Sequence, residues 1–325
     1  MIPLRDTTPA KNYPVVNNAI IGINVVIFIL QLSQGAEWNK FVFTFGLVPA
    51  RYSIPQISAY FSAPQQVFSF VTFMFLHGGI WHLLGNMWSL FIFGDNVEDR
   101  LGPLRYLMFY LICGVASGGS HLLLNWHSNL PTIGASGAIA GVMGAYFILH
   151  PRSKILTLIP IFFIPYFIEI PAYFFLGIWF LLQFINAAAG QGQAGGVAWW
   201  AHIGGFIFGI IFLKILLALP GAGPRTKIRR VTARKKTPHL QVIRPIGPGP
   251  DPHLYGVITI SPHEAAGGTR KLVNIPWGFR KRLFRVSVPP GIKEGSRLRL
   301  KGLGKDAGSN DRGGRGNLYL KVRIQ

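Results

Sequence analysis

Gly134-Ala135-Ser136-Gly137-Ala138-Ile139-Ala140-Gly141-Val142-Met143-Gly144-Ala145-Tyr146-Phe147-Ile148-Leu149 is an apolar run with a serine near its head, and it ends at His150-Pro151-Arg152. From Ala135 to Leu149 it has about 15 residues, which rise about 22 Å as a helix. The hydrocarbon core of a bilayer is about 30 Å thick. With Arg152 and Lys154 at one membrane face, Ser136 stops short of the other. A polar group at that depth needs a partner or a water-filled cavity. The run therefore reads as a short membrane helix that carries a functional serine.

Composition agrees. The chain has 325 residues, half of them hydrophobic and only 13% charged, and its mean hydropathy is +0.37. Six apolar segments stand out, at about Val15–Ser33, Gln66–Gly94, Leu104–Leu124, Ala135–Leu149, Pro171–Ala189 and Val197–Leu219. The expected fold is an all-α polytopic bundle of six transmembrane helices over residues 1–219. A basic Pro/Gly-rich linker at 220–252 and a small all-β sandwich at 253–325 follow it. The first segment lacks a small-residue cleavage site and is read as a retained helix. Cys113 is the single cysteine, so no intramolecular disulfide forms. It sits in an apolar segment and is read as core.

The formal charge is +21. From Pro220 onward the chain has 23 Lys/Arg and 5 Asp/Glu, so the excess lies in the tail. Arg5, Lys11, Arg100, Arg105, Arg152, Lys154 and the tail fall on one side of an even number of spans. Lys40 and Arg51 fall on the other. By the positive-inside rule both termini are cytoplasmic and the expected location is the plasma membrane.

The second segment carries His77, His82, Asn86 and Ser89. His82, Asn86 and Ser89 share a helical face, with His82 and Asn86 one turn apart. The sixth begins Trp199-Trp200-Ala201-His202-Ile203-Gly204-Gly205, with His202, Gly205 and Gly209 on one face. In the fourth, Ser136, Ala140 and Gly144 share a face beside Gly137 and Gly141. Each polar group alone is more readily read as a helix-packing hydrogen bond. Two small-residue stripes, however, let backbones approach closely. If they meet, His202 lies beside Ser136. Serine needs a base before it attacks, and His202 can supply one and later protonate the leaving amine. The Ser136 N–H, His82 and Asn86 are the donors available to an oxyanion. No acid lies in a span where it could orient His202; the nearest, Glu169, precedes the fifth on the cytoplasmic side. This points to a dyad. Position 138 is Ala, so the run is not a G-x-S-x-G elbow. No cofactor or metal is called for.

These residues resemble the rhomboid intramembrane serine proteases over about residues 10–219. The motifs are His-x-x-x-Asn (His82, Asn86), Gly-x-Ser-Gly (Gly134, Ser136, Gly137) and Ala-His-x-x-Gly-x-x-x-Gly (His202, Gly205, Gly209), in order on the second, fourth and sixth spans. The resemblance implies a six-helix endopeptidase that cleaves transmembrane protein substrates near the outer face. It implies a Ser136–His202 dyad, with His82 and Asn86 at the oxyanion and Gly134 leaving room for substrate. It gives His77 a structural role and makes the fifth helix a mobile wall. The chain departs from the family pattern in two places. The loop from Gln34 to Pro64 has Arg51 without the Trp-Arg pair of many members. Ala140 stands where some members place a ring on the catalytic histidine. A catalytically inactive membrane-client binding protein is therefore the alternative.

Three prolines in Ile159–Pro171 disfavour a continuous helix, and residues 155–170 are read as an apolar cytoplasmic loop. The linker has no aromatic interleaving. Its cations are expected to meet anionic lipid headgroups and not nucleic acid. Beyond it, Tyr255–Ile260, Arg282–Val288, Arg297–Leu300 and Leu318–Ile324 alternate as strands. Val288-Pro289-Pro290-Gly291-Ile292, Gly302-x-Gly304 and Gly316-Asn317-Leu318-Tyr319 are similar to the C-terminal peptide-binding domain of DnaJ-type co-chaperones. That implies an extended peptide along a sheet edge; a purely anchoring domain is the alternative. Paired Cys-x-x-Cys sites and a J-domain are absent, so no Hsp70 partner is expected.

Overall fold

A computed structural model describes residues 1–8, 10–161, 164–189, 197–219, 240–243, 245–247, 251–277, 280–305 and 315–325. The chain divides into two units, Met1–Ala233 and Arg234–Gln325.

The first unit opens with β1 (Ile2–Asp6) and α1 (Val15–Leu32). The short helices α2 (Trp38–Phe45), α3 (Ala50–Ser53) and α4 (Pro55–Ser58) lead to α5 (Ala63–Thr72). Then come α6 (Ile80–Leu101), α7 (Pro103–Leu124), α8 (Ser136–Leu149), β2 (Lys154–Ile161), β3 (Ile164–Pro171), α9 (Ala172–Ala188) and α10 (Trp199–Ala218). Helices α1, α7 and α10 are long and apolar enough to cross a membrane. A fourth crossing follows if α5 and α6, bent by 79° at the break between them, count as one broken span. The apolar helices α8 and α9 are shorter. Val26, Ile29 and Leu30 on α1, Leu181 and Phe184 on α9, and Ile207 and Ile211 on α10 are exposed, as apolar side chains facing lipid are.

Two of the sequence expectations change here. The segment Gln66–Gly94 is not one helix. Gly79, extended at φ 163°, precedes α6, and the chain turns sharply before Ile80. The break lifts the second helix's start to the turn before His82. The described residues of 155–170 are strands and not an apolar loop. β2 and β3 form an antiparallel hairpin, and β1 adds to it through Ile2↔Leu158 and Asp6↔Ile155. Pro160 and Pro165 lie opposite one another in the register. The remainder is rich in Ile, Leu and Phe, which suit strands.

Inside the bundle the polar groups are paired across helices. The N-terminus of α1 has no side-chain cap of its own. The buried Glu98 of α6 accepts from the Val16 and Asn17 N–H groups at 3.1 and 2.8 Å instead. Asn17 in turn donates to the Leu90 carbonyl and accepts from Tyr106 Oη of α7. This satisfies helix-end donors that would otherwise be costly in a dry interior.

Helix α8 packs closely against α10, backbone to backbone. A Cβ at Gly205 would lie 2.1 Å from the Gly137 carbonyl oxygen, and one at Gly209 would lie 2.3 Å from that of Gly141. Both obstacles are backbone, so no rotamer change relieves them. Gly209→Val is expected to cost about 3 kcal/mol or more, read as a fall in melting temperature in detergent. Gly85, where a Cβ meets nothing within 4 Å, is the control. Gly85→Ala should be neutral or stabilising by up to about 1 kcal/mol.

The second unit contains β4 (Leu240–Val242), β5 (Leu254–Ile260), α11 (Pro262–Gly267), β6 (Thr269–Trp277), β7 (Arg280–Val288), β8 (Arg297–Leu300) and β9 (Leu318–Ile324). They form two three-stranded sheets, β4-β6-β7 and β5-β9-β8. Val273, Val286 and Val288 of one share a buried core with Ile258, Ile260, Leu318, Leu320 and Val322 of the other. β4 falls inside the stretch read as linker, because it pairs in parallel with β6. β6 was not anticipated from the alternation, since Lys271 occupies an inward position. Lys271 is 1% exposed and is paired with Glu264 at 2.5 Å. Glu264 also closes a capping box with Ser261 at the head of α11. The basic cluster Arg225–Lys236 lies outside the described residues.

Candidate active site

The stretch before α8 is held from two directions. The Gly134 N–H donates to the Phe73 carbonyl at 2.9 Å, and Leu47 and Thr132 exchange backbone hydrogen bonds at 3.0 and 2.8 Å. Gly134 has φ +126°, a value that favours glycine. Ser136 then opens α8, so its N–H is among the first-turn donors without an intrahelical acceptor. The positive end of the helix dipole faces the same way.

His202 lies on the first turn of α10. Its Nε2 is 2.8 Å from Ser136 Oγ. Its Nδ1 is 2.8 Å from Gln183 Oε1 of α9. The small-residue stripes meet as the sequence predicts, and the hydroxyl and imidazole touch as a result.

His82 and Asn86 face the same cavity, whose volume is about 660 Å³ and whose lining includes Trp81, His82, Asn86, Gly134, Ser136 and His202. The Gly78 N–H donates to His82 Nδ1 at 3.2 Å, which leaves the proton of a neutral ring on Nε2. That edge points at Gly134: a Cβ there would lie 2.9 Å from His82 Nε2. Glycine at 134 therefore makes room for the histidine as well as for anything beside the serine. Asn86 is 7% exposed, and its Nδ2 has no hydrogen-bond partner among the described residues. A buried donor of this kind is rare unless something else uses it. Ser89 bonds back to the Gly85 carbonyl within α6 and does not line the cavity.

Three residues contribute without being found as site residues in the sequence. Gln183 is the first. The second is Arg51, fully buried, which donates to the Phe43, Thr44 and Gln65 carbonyls. It also stacks 3.6 Å over Phe61. A lone arginine thus organises the first loop without a tryptophan beside it. The signal was available: an arginine in an apolar chain is costly unless several acceptors meet it. The third is Gln31, which exchanges two hydrogen bonds with the His77 backbone at 2.8 and 3.0 Å. His77 then meets the His82 ring edge to face, with centroids 5.2 Å apart. Glu169 is paired with Lys154 on the hairpin and plays no part here. Among the described residues no three His, Cys, Asp or Glu groups could hold a metal ion.

The family model of the Rhomboid domain matches residues 64–219. This stretch is similar to the rhomboid domain family. The matched stretch contains Gly134, Ser136, His82, Asn86 and His202. The chain is 30% identical over 204 residues to Rhomboid protein 1, mitochondrial, of Saccharomyces cerevisiae, covering 60% of this chain and 51% of that one. It is 36% identical over 156 residues to RHOMBOID-like protein 6, mitochondrial, of Arabidopsis thaliana, covering 47% and 45%. Inactive RHOMBOID-like protein 8 of the same plant is 32% identical over 80 residues, covering 25% and 22%. The chain thus spans about half the length of the first of these relatives, or less. Residues 251–325 match the model of the DnaJ C terminal domain. The two matches lie in one chain, the second within the second unit.

Proposed function

We propose that this chain is an intramembrane serine endopeptidase acting on transmembrane protein substrates by a Ser136–His202 dyad. The observation that carries the reading is the 2.8 Å contact between Ser136 Oγ and His202 Nε2, in a cavity that is also lined by Asn86, whose Nδ2 has no partner among the described residues. Ser136 Oγ attacks the scissile carbonyl and its proton passes to His202 Nε2. The oxyanion accepts from the Ser136 N–H, His82 Nε2–H and Asn86 Nδ2–H. Collapse breaks the C–N bond, and His202 returns the proton to the leaving amine. Water then attacks the acyl-enzyme with His202 as base and releases Ser136.

In this reading α1, α6, α7, α8, α9 and α10 all cross the bilayer, the shorter α8 and α9 spanning a locally thin region. Both termini are cytoplasmic, in the plasma membrane, and the basic linker lies along anionic headgroups. The second unit takes extended peptide along a sheet edge.

A fluorophosphonate probe tests the chemistry. The expected result is covalent labelling of the detergent-solubilised wild type and none of Ser136→Ala. An unlabelled wild type that still captures membrane clients favours the inactive binder.

A further inference from the structure

We propose that Gln183 is the positioning residue for the base of this site, holding His202 as the Nδ1–H tautomer. The inference rests on the serine-protease reading above.

Gln183 is 6% exposed, whereas Leu181, Leu182, Phe184 and Ile185 around it are each about half exposed. It is the polar group of an otherwise lipid-facing stretch of α9, and both ends of its amide are used. Nε2 lies 3.2 Å from the Trp179 carbonyl, one turn back. A carbonyl only accepts, so the NH₂ must lie there. The side-chain oxygen therefore faces His202, 2.8 Å from Nδ1. An oxygen with no hydrogen only accepts as well, so Nδ1 carries the ring proton. Nε2 is left with its lone pair on the Ser136 side, 2.8 Å from Oγ. The other tautomer would turn an N–H toward Ser136 and could not take its proton.

The same element supplies what Ala140 lacks. Trp179 lies with its ring centroid 6.0 Å from that of His202, tilted by 34°. The aromatic neighbour and the acceptor thus come from one turn of α9. A carboxylate would orient the ring more strongly, yet it would put a charge in an apolar helix. A neutral amide does the orienting without that cost.

The test measures cleavage of a model transmembrane substrate by the full chain in liposomes, for wild type, Gln183→Leu and Gln183→Glu. Gln183→Leu keeps the bulk and loses the acceptor. It is expected to lower kcat by about 10–100-fold with KM within twofold, since losing a buried hydrogen bond leaves the ring free to take the wrong tautomer. Gln183→Glu keeps an acceptor oxygen and is expected to retain kcat to within several-fold. In ¹⁵N-histidine spectra the wild-type His202 Nδ1 should be protonated, and Gln183→Leu should show a mixture. Should Gln183→Leu not fold, Gln183→Met carries the same comparison. Equal loss in the Leu and Glu variants, or wild-type kcat in Gln183→Leu, overturns the inference alone. A wild type that turns over no substrate and takes no probe overturns the protease reading itself.

Discussion

His202→Ala is expected to lower cleavage of a membrane substrate by on the order of 10⁴–10⁶, and Ser136→Ala and the double variant should fall to the same floor. The three values coincide because the nucleophile and base act as one unit. Without the imidazole the Ser136 hydroxyl has no acceptor for its proton, the two atoms being 2.8 Å apart in the resting site. Without the hydroxyl the imidazole has nothing to activate. Measured by single-turnover cleavage in liposomes, additive losses would mean that the two groups contribute independently. That outcome would remove the dyad from the mechanism. Ser136→Ala should change the melting temperature little, since His202 stays joined to the bundle by Gln183 and its ring neighbours, whereas His202→Ala leaves the buried Gln183 oxygen without that donor and should lower it.

Asn86→Ala is expected to lower turnover by about 10²–10³, the usual worth of one oxyanion donor. The argument begins with stability. A buried amide N–H without a partner costs about 1–3 kcal/mol, and Asn86 Nδ2 is such a group among the described residues. A residue kept there for packing alone would do better as leucine. Asn86→Leu should therefore be at least as thermally stable as wild type while losing activity. This trade between stability and function is the mark of a donor held ready for a charge that forms only in the reaction. Unchanged turnover in Asn86→Ala, or a large fall in melting temperature with Asn86→Leu, would give the residue a packing role. His82→Ala should resemble Asn86→Ala in turnover, because its Nε2 edge faces Gly134 in the same cavity.

Much of this site could be read along the chain because its parts are periodic. Ser136, Gly137, Gly141 and Gly144 recur at helical spacing, as do His202, Gly205 and Gly209. Small residues at that spacing say that two backbones come close before they say what meets there. His82 and Asn86 are one turn apart, so their shared face followed from the helix alone. The proposed dyad depended on the stripes meeting, and their contact at Gly205 and Gly209 brings Ser136 and His202 within 2.8 Å of each other.

Gln183 was not legible in the same way. One glutamine in an apolar helix is indistinguishable from a packing residue until the neighbouring helix is in place. Its acceptor role needs the Trp179 carbonyl on one side and His202 on the other. Arg51 likewise gains its meaning from three carbonyls at Phe43, Thr44 and Gln65, gathered by the fold of the first loop. The hairpin Lys154–Pro171 needed a strand from Ile2–Asp6, about 150 residues earlier, to complete its sheet. Local pattern cannot reveal a partner that distant. The second unit was read from its alternation, which missed β4 and β6, and β6 carries the inward charge, Lys271, that pairs with Glu264.

Residue type and period alone determined that this chain is a membrane bundle with a β-rich appendage, because burial in lipid or in a core requires apolar side chains at the repeat of the element that carries them. They also singled out the serine, both histidines and the asparagine. The tertiary structure alone decided where the chain bends before Ile80, which strands complete the hairpin, and which group holds His202. Those depend on hydrogen bonds between segments far apart in sequence, whose geometry exists only once the helices have packed.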